Sequence, residues 1–360
     1  MAAVGWSCDQ LFHDQLLHGR IDIVGHFPLF CHQLVTGAVC KIQGQFRLFI
    51  GIYITCIDNK TGKVIGVVGG RSQEMDSQTY SFNRAYQSYR QPGSTFKPIA
   101  VYTPAMMSEY NYAPDTIVHN IDVTQAKKKG TKVQELSGAA MTLRSAVENS
   151  KNGVAWQVFD KITPKYGMSF VTAMQFSNIC KDDYYDSSAL GGLTYGATTV
   201  EMASAFATLA NHGDFREPTC ISSILDNKGK EIYDEYDSKE IYTDKAADDM
   251  VDILEGVLTS GTGAKLKWGS SSDIQAFAKT GTTNDSKDGW LCGATPYYTI
   301  SVWVGYDQPK TLSNLYGATY PGQIWKDSIL RLKSLSEMKM MSLIKTVIRR
   351  KKLLRDTILI

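Results

Sequence analysis

Ser94 and Lys97 stand three residues apart in the run Arg90-Gln91-Pro92-Gly93-Ser94-Thr95-Phe96-Lys97-Pro98. The Pro-Gly pair introduces a helix, and residues three apart on a helix share one face, about one turn apart. A serine hydroxyl is a poor nucleophile until an adjacent base takes its proton. A lysine amine beside it can be that base if it is neutral. Farther along come Ser150-Lys151-Asn152 and Lys279-Thr280-Gly281-Thr282-Thr283. If these three segments meet, parts of the chain spread over half its length must converge on one point. Few folds achieve that.

Each triplet alone is weak, and the chain shows it. S-x-x-K recurs at Ser336-Lys339 and Ser342-Lys345, S-x-N at Ser81-Phe82-Asn83, and K-T-G at Lys60-Thr61-Gly62. The K-T-G at 60 lies in Asp58-Asn59-Lys60-Thr61-Gly62-Lys63, a hairpin-turn composition. Only the set 94, 150, 279 has one order, domain-scale gaps and consistent context. In that order the motifs form the signature of penicillin-reactive serine acyl-transfer enzymes.

The remaining bounds are broad. With 360 residues, 43% hydrophobic and 21% charged, the chain is globular with a sizeable core. A net charge of +2 is too balanced to indicate nucleic acid. The 7 cysteines include no C-x-x-C pair, so neither a disulfide framework nor a metal site is read from them. His13/His18 and His26/His32 fit half of a zinc-finger pattern, without the close cysteine pair that would complete it. The longest apolar run, Leu48 to Ile57, falls well short of the ~20 residues that span a membrane. The N-terminus has no signal-peptide layout. Neither an anchor nor an export signal is found.

Along the chain, residues 1–51 carry no clear period. Ile52–Ile57 and Lys63–Gly70 read as a β-hairpin with a buried second strand. Pro98 to Tyr110 is helix-compatible. Lys127-Lys128-Lys129-Gly130 reads as a solvated basic turn. Thr142 is placed to cap a helix over Leu143–Glu148. An amphipathic helix from Thr198 to Leu209 closes at Asn211-His212-Gly213. Ile221–Tyr233, split at Asn227-Lys228-Gly229, reads as a second hairpin, and Asp244–Leu258 as a helix. Ala276–Thr280, a strand beginning at Asp288–Cys292, and Tyr297–Tyr306 read as strands. Strands, many helices, then strands predict an α+β fold. Its antiparallel sheet is built from both ends of the domain and packed with helices, beside an all-α part. From Lys333 basic residues alternate with Met, Leu, Ile and Val. That pattern suits a basic amphipathic helix on an anionic membrane or a solvated tail.

The chain resembles the transpeptidase domain of class A (bifunctional) penicillin-binding proteins over about residues 52–328. Beyond the triplets, the resemblance is carried by Asp58, Thr61-Gly62, Val64 and Val68-Gly69-Gly70-Arg71, and by Phe82-Asn83-Arg84-Ala85 ahead of Arg90. It continues through Ala189-Leu190-Gly191-Gly192 and Glu201-Met202-Ala203-Ser204-Ala205. It ends with Lys279 through Asp285, Asp288, Trp290 and Val302 through Asp307. It implies a serine β-lactamase/D,D-transpeptidase-like fold. The implied domains are an unassigned segment 1–51, a penicillin-binding transpeptidase domain 52–330 and a basic tail 331–360, without the family's glycosyltransferase domain. Both ends are expected to be poorly packed and trimmed by proteolysis.

The resemblance implies D,D-transpeptidation of peptidoglycan stem peptides ending in D-Ala-D-Ala, with β-lactams as covalent inhibitors. Ser94 would be the nucleophile and Lys97 its base, since His119 and His212 lie far from every motif. Ser150 would relay a proton to the leaving group. Asn152 would hold the substrate amide and orient Lys97. Lys279 would stay charged, depress Lys97 and draw the substrate carboxylate. Thr280 and Thr282 would bind that carboxylate, and Gly281 would let the strand approach closely. The resemblance places the oxyanion hole at the backbone N–H groups of Ser94 and Thr282. No metal or organic cofactor is implied. Partners would lie at the membrane surface and among cell-wall synthesis proteins, on the extracytoplasmic face of the bacterial membrane. A D,D-carboxypeptidase with the same site and a truncated, non-catalytic penicillin-binding module are the alternatives. A β-lactamase is disfavoured, because no E-x-x-L-N deacylation motif lies between Ser150 and Lys279.

Overall fold

In a computed structural model the described residues are 20–23, 50–70, 82–232, 237–270 and 273–334. The histidine pairs, the decoy S-x-x-K sites and the basic run from 335 lie outside them. The strands are β1 (Arg20–Ile23), β2 (Ile50–Asp58), β3 (Val64–Val68), β4 (Ile117–Ile121), β5 (Gly138–Thr142), β6 (Asp214–Phe215), β7 (Ile221–Leu225), β8 (Lys239–Glu240), β9 (Phe277–Thr282), β10 (Asp288–Ala294) and β11 (Tyr298–Tyr306). The principal helices are α1 (Leu143–Glu148), α2 (Asn152–Ile162), α3 (Pro164–Ala173), α4 (Thr199–Ala210), α5 (Asp244–Thr259) and α6 (320–334).

The main sheet is antiparallel with order β3-β2-β11-β10-β9. Its first two strands come from the start of the domain and its last three from the end. Strand alternation gives each strand two destinations. Ile52, Ile54, Leu291, Val302 and Val304 face a layer formed with Ile324, Trp325 and Ile329 of α6. Tyr53, Phe277, Trp290, Cys292 and Trp303 face the helices on the other side. Both faces are covered, which explains why these strands read as nearly continuous apolar runs. The expected α+β architecture is what forms, and α1 to α3 build its all-α part.

Local chemistry sets the boundaries. The β2–β3 turn is the decoy K-T-G: Asp58 Oδ1 accepts from Thr61 N and Thr61 Oγ1, both at 2.9 Å, and Gly62 takes φ +70°. The decoy S-x-N ends at Asn83, whose side chain accepts from Ala85 N and caps a short helical turn. Thr142 caps α1 as its position suggests. Thr198 and Glu201 form a full capping box on α4. Within the described part of the second hairpin, Leu225 bridges Glu231 and Ile232 N donates to Ile224 O at 2.8 Å, and β7 also pairs with β1. Helix α6 continues past residue 330 and buries Leu332 against the sheet.

Trp325 is the anchor of that outer layer. It is fully buried, packs on Trp268 and donates from Nε1 to Gly293 O at 3.0 Å. Trp325→Ala should lower unfolding stability by about 3–5 kcal/mol, read from denaturant midpoints. An unchanged midpoint would mean that α6 contributes little to the core.

Candidate active site

The segment that carries Ser94 is held on three sides. Arg90 exchanges backbone bonds with Ala197 at 2.9 and 2.8 Å, and its guanidinium lies over the Trp303 ring, 4.7 Å from the centroid. Trp290 Nε1 donates to Gln91 O at 2.8 Å, and Thr95 Oγ1 to Pro92 O at 2.6 Å. Gly93 adopts φ +55°, a conformation that favours glycine, and its backbone abuts Thr282 of β9. Gly191 packs against Gly93 so closely that a Cβ there would collide with its carbonyl. These contacts set Ser94 beside the edge of the sheet.

The helix that follows is not the regular one its composition suggests. Ser94 sits in a 3-10 turn, Gly93–Phe96, which passes into a π turn, Pro98–Tyr102, and then one α turn ending at Met106. Pro98 lacks an N–H and cannot continue an α ladder. Thr103 Oγ1 donates to the Pro98 carbonyl at 2.7 Å. The turn drives Lys97 inward, where it is fully buried.

The second and third motifs meet Lys97 there. Lys97 Nζ donates to Asn152 Oδ1 at 2.6 Å and to Ser150 O at 2.9 Å, and lies 3.4 Å from Ser150 Oγ. Lys279 Nζ, also fully buried, donates to the same Ser150 Oγ at 2.9 Å and to Thr280 O at 2.9 Å. One serine hydroxyl therefore sits between two buried amines. Ser150 holds it there with φ +55°, a conformation that costs a non-glycine residue roughly 1–2 kcal/mol.

Burial, and secondly the Lys279 charge, holds the Lys97 amine well below the ordinary lysine value. Burial also lowers Lys279, to about 7. The expected Lys279 charge is then held below about that pH. Its partners are a hydroxyl and a carbonyl, neither of which carries a counter-charge. Cys292, its cross-strand neighbour, has its thiol pushed up to about 12 by burial and stays neutral.

Ser94, Asn152 and Thr282 open on a common cavity of about 260 Å³. Thr280 Oγ1 is 2.6 Å from Thr262 Oγ1, and Thr282 Oγ1 accepts from Gly317 N at 3.3 Å. The Thr282 hydroxyl proton remains free to donate to a ligand. Gly281 faces Pro92 and Thr95 with no room for a side chain. Lys151 is half-buried at the start of α2, and His212 pairs with Asp248. Trp156, Val123, Leu190 and Lys127, none of them among the predicted site residues, also line the cavity. For Trp156 a signal existed: it lies one helical turn beyond Asn152. Among the described residues no cluster of three or more His, Cys, Asp and Glu could hold a metal, and no helix is long and apolar enough to cross a membrane.

This fold is that of the transpeptidase domains of penicillin-binding proteins. Residues 52–328 match the family described as the penicillin binding protein transpeptidase domain, and the chain belongs to that family. It is 32% identical over 277 residues to penicillin-binding protein 4 of Bacillus subtilis, covering 76% of this chain and 43% of that protein. It is 33% identical over 289 residues to penicillin-binding protein 1A of Clostridium acetobutylicum, covering 75% and 34%. The chain thus spans less than half the length of these relatives. The structure of PonA1 from Mycobacterium tuberculosis in complex with penicillin V shares the fold. It has a TM-score of 0.71 at 22% identity, covering 86% of this chain and 84% of that one.

A charge buried at Lys279 weighs on stability. Its pKa falls from about 10.5 unfolded to about 7 folded, so the folded state binds fewer protons between those values and stability rises with pH across them. Lys279→Met should therefore be more stable than the parent by up to roughly 5 kcal/mol below about pH 7. The difference should shrink to nothing by about pH 10.5, read from paired denaturation curves. A difference that is flat with pH would show that Lys279 is not the titrating group.

Proposed function

We propose that this chain is a serine D,D-transpeptidase that cross-links peptidoglycan stem peptides and is acylated by β-lactams. The setting this implies is the extracytoplasmic face of the bacterial cell membrane. The observation that carries the reading is the Ser150 hydroxyl between two buried lysines, with Lys97 also bound to Asn152, beside a cavity that contains Ser94.

In acylation, neutral Lys97 takes the Ser94 hydroxyl proton as Oγ attacks the carbonyl carbon of the penultimate D-Ala. The new C–O bond forms and the oxyanion is met by backbone N–H groups of Ser94 and Thr282, as the family resemblance implies. The C–N bond then breaks. The proton passes from Lys97 through Ser150 to the departing amine, which leaves as D-Ala. An acceptor amine reverses the sequence: it attacks the ester, its proton returns by the same route, and Ser94 regains its own. Lys279, when protonated, and the Thr280 and Thr282 hydroxyls hold the terminal carboxylate. Gly281 lets the peptide lie close to β9.

Penicillin should form an adduct on the peptide containing Ser94, detectable by mass spectrometry, and Ser94→Ala should abolish it. An adduct on a different serine would sink the assignment. With a D-Ala-D-Ala donor and a D-amino acid acceptor, release of D-Ala should accompany a new amide product. Hydrolysis alone would make the enzyme a carboxypeptidase.

The lysines have separate pH signatures. The acylation rate should rise as Lys97 loses its proton and fall above about pH 7 as Lys279 loses its own. Arginine does not deprotonate in this range. Lys97→Arg should thus lose on the order of 100-fold or more in acylation rate, whereas Lys279→Arg should keep a measurable rate and lose the alkaline fall. Near-parental acylation by Lys97→Arg would remove Lys97 as the base.

A further inference from the structure

The basic turn at 127–129 is exposed, as its sequence suggests, and its first lysine also lines the cavity. The cavity runs from Ser94 and Asn152 along α2 to Trp156, which is one turn beyond Asn152 on the same helix face. Val123 and Lys127, spaced i and i+4 across the next short helix, close that end. The Lys127 ammonium lies over the Trp156 ring, 5.6 Å from its centroid.

Three observations define what this end accepts. Lys127 carries the only formal charge among the described residues that line the cavity. Its neighbour Lys132 is paired with Glu135, whereas no described carboxylate pairs with Lys127. The Trp156 indole N–H is buried without an acceptor among the described residues. That end therefore offers one cation and one indole N–H without an acceptor among the described residues, beside an apolar floor of Trp156 and Val123. A buried donor without a partner is costly, and an ammonium over an aromatic face attracts a second, anionic partner without leaving the ring.

We propose that Lys127 is a specificity-determining residue that selects acyl donors bearing a free carboxylate on the acyl side of the reacting carbonyl. The donor's own C-terminal carboxylate is assigned to Lys279 and the Thr280/Thr282 hydroxyls. The group read by Lys127 is a second carboxylate, on a side chain preceding the scissile bond, and an amidated donor would lack it. The inference rests on Ser94 being the acylated residue.

Two penicillins test it: benzylpenicillin and its α-carboxy derivative, which differ by one carboxylate on the acyl side chain. The measurement is the ratio of their second-order acylation rates at Ser94 in the full chain. Lys127→Met keeps an apolar stem over Trp156 and removes the charge. It should lower the ratio, carboxylated over plain, about three- to fivefold, the span of an exposed ion pair. Raising the salt should lower the parent's ratio toward that of the variant. Lys127→Arg should hold the ratio within about twofold of the parent, since the charge remains. If Ser94 takes both compounds and Lys127→Met leaves the ratio unchanged, Lys127 does not read the carboxylate. If Ser94 takes neither, the acyl-enzyme reading falls and this inference falls with it.

Discussion

Two lysine amines without solvent exposure share one serine hydroxyl, and the arrangement of the domain follows from making that possible. An isolated buried ammonium is among the most expensive groups a protein can hold. Among the described residues no carboxylate compensates. The amines are matched to neutral acceptors: the Ser150 and Thr280 carbonyls, the Asn152 amide oxygen and the Ser150 hydroxyl. Neutral acceptors satisfy the hydrogen bonds without restoring full basicity. That leaves amines whose proton affinity burial lowers, which an ion pair would prevent.

Each acceptor is supplied by rigid structure. Asn152 opens α2, whose apolar side is buried against the π turn. Thr280 lies on β9, locked by β10 in continuous register from Thr282 to Phe277. Ser150 lies in the sharp junction between α1 and α2, and its left-handed backbone is the strain that junction accepts. Strong packing on either side keeps the strained residue in place. The two tryptophans of the inner sheet face serve the same end. Trp290 fixes Gln91, and Trp303 supports the Arg90 guanidinium.

Much of this was legible in the sequence because the chemistry is carried by residue identity at fixed local spacing. The triplets at 94, 150 and 279 could be separated from decoys by order and context, and the two decoys that reach the described residues are a turn and a helix cap. The paired strands from the two ends of the domain were legible through β-branched and aromatic runs. Other features were not. The π turn depends on Pro98 acting together with the carbonyl bonded by Thr103, which no periodicity encodes. The reach of α6 to Leu332 was hidden because basic residues begin before the helix ends. Lys127 is the exposed lysine of a solvated turn, but a run of three lysines carries no information about the tryptophan beneath one of them. The depressed value of Lys279 follows from the absence of a counter-charge, which appears only when the neighbours are known.

The pairing of β2 with β11 joins strands from the two ends of the domain at the centre of its sheet. Ser94 is synthesised early, but β9 and β10, which bury Lys279 and complete the surroundings of Lys97, come last. Until those strands dock, Lys97 is an ordinary solvated lysine, protonated and unable to serve its serine. Long-range closure of this kind is a late event in folding. In the proposed mechanism Ser94 would thus stay chemically silent in partly folded chains, and its acylation would report on the completeness of the whole domain.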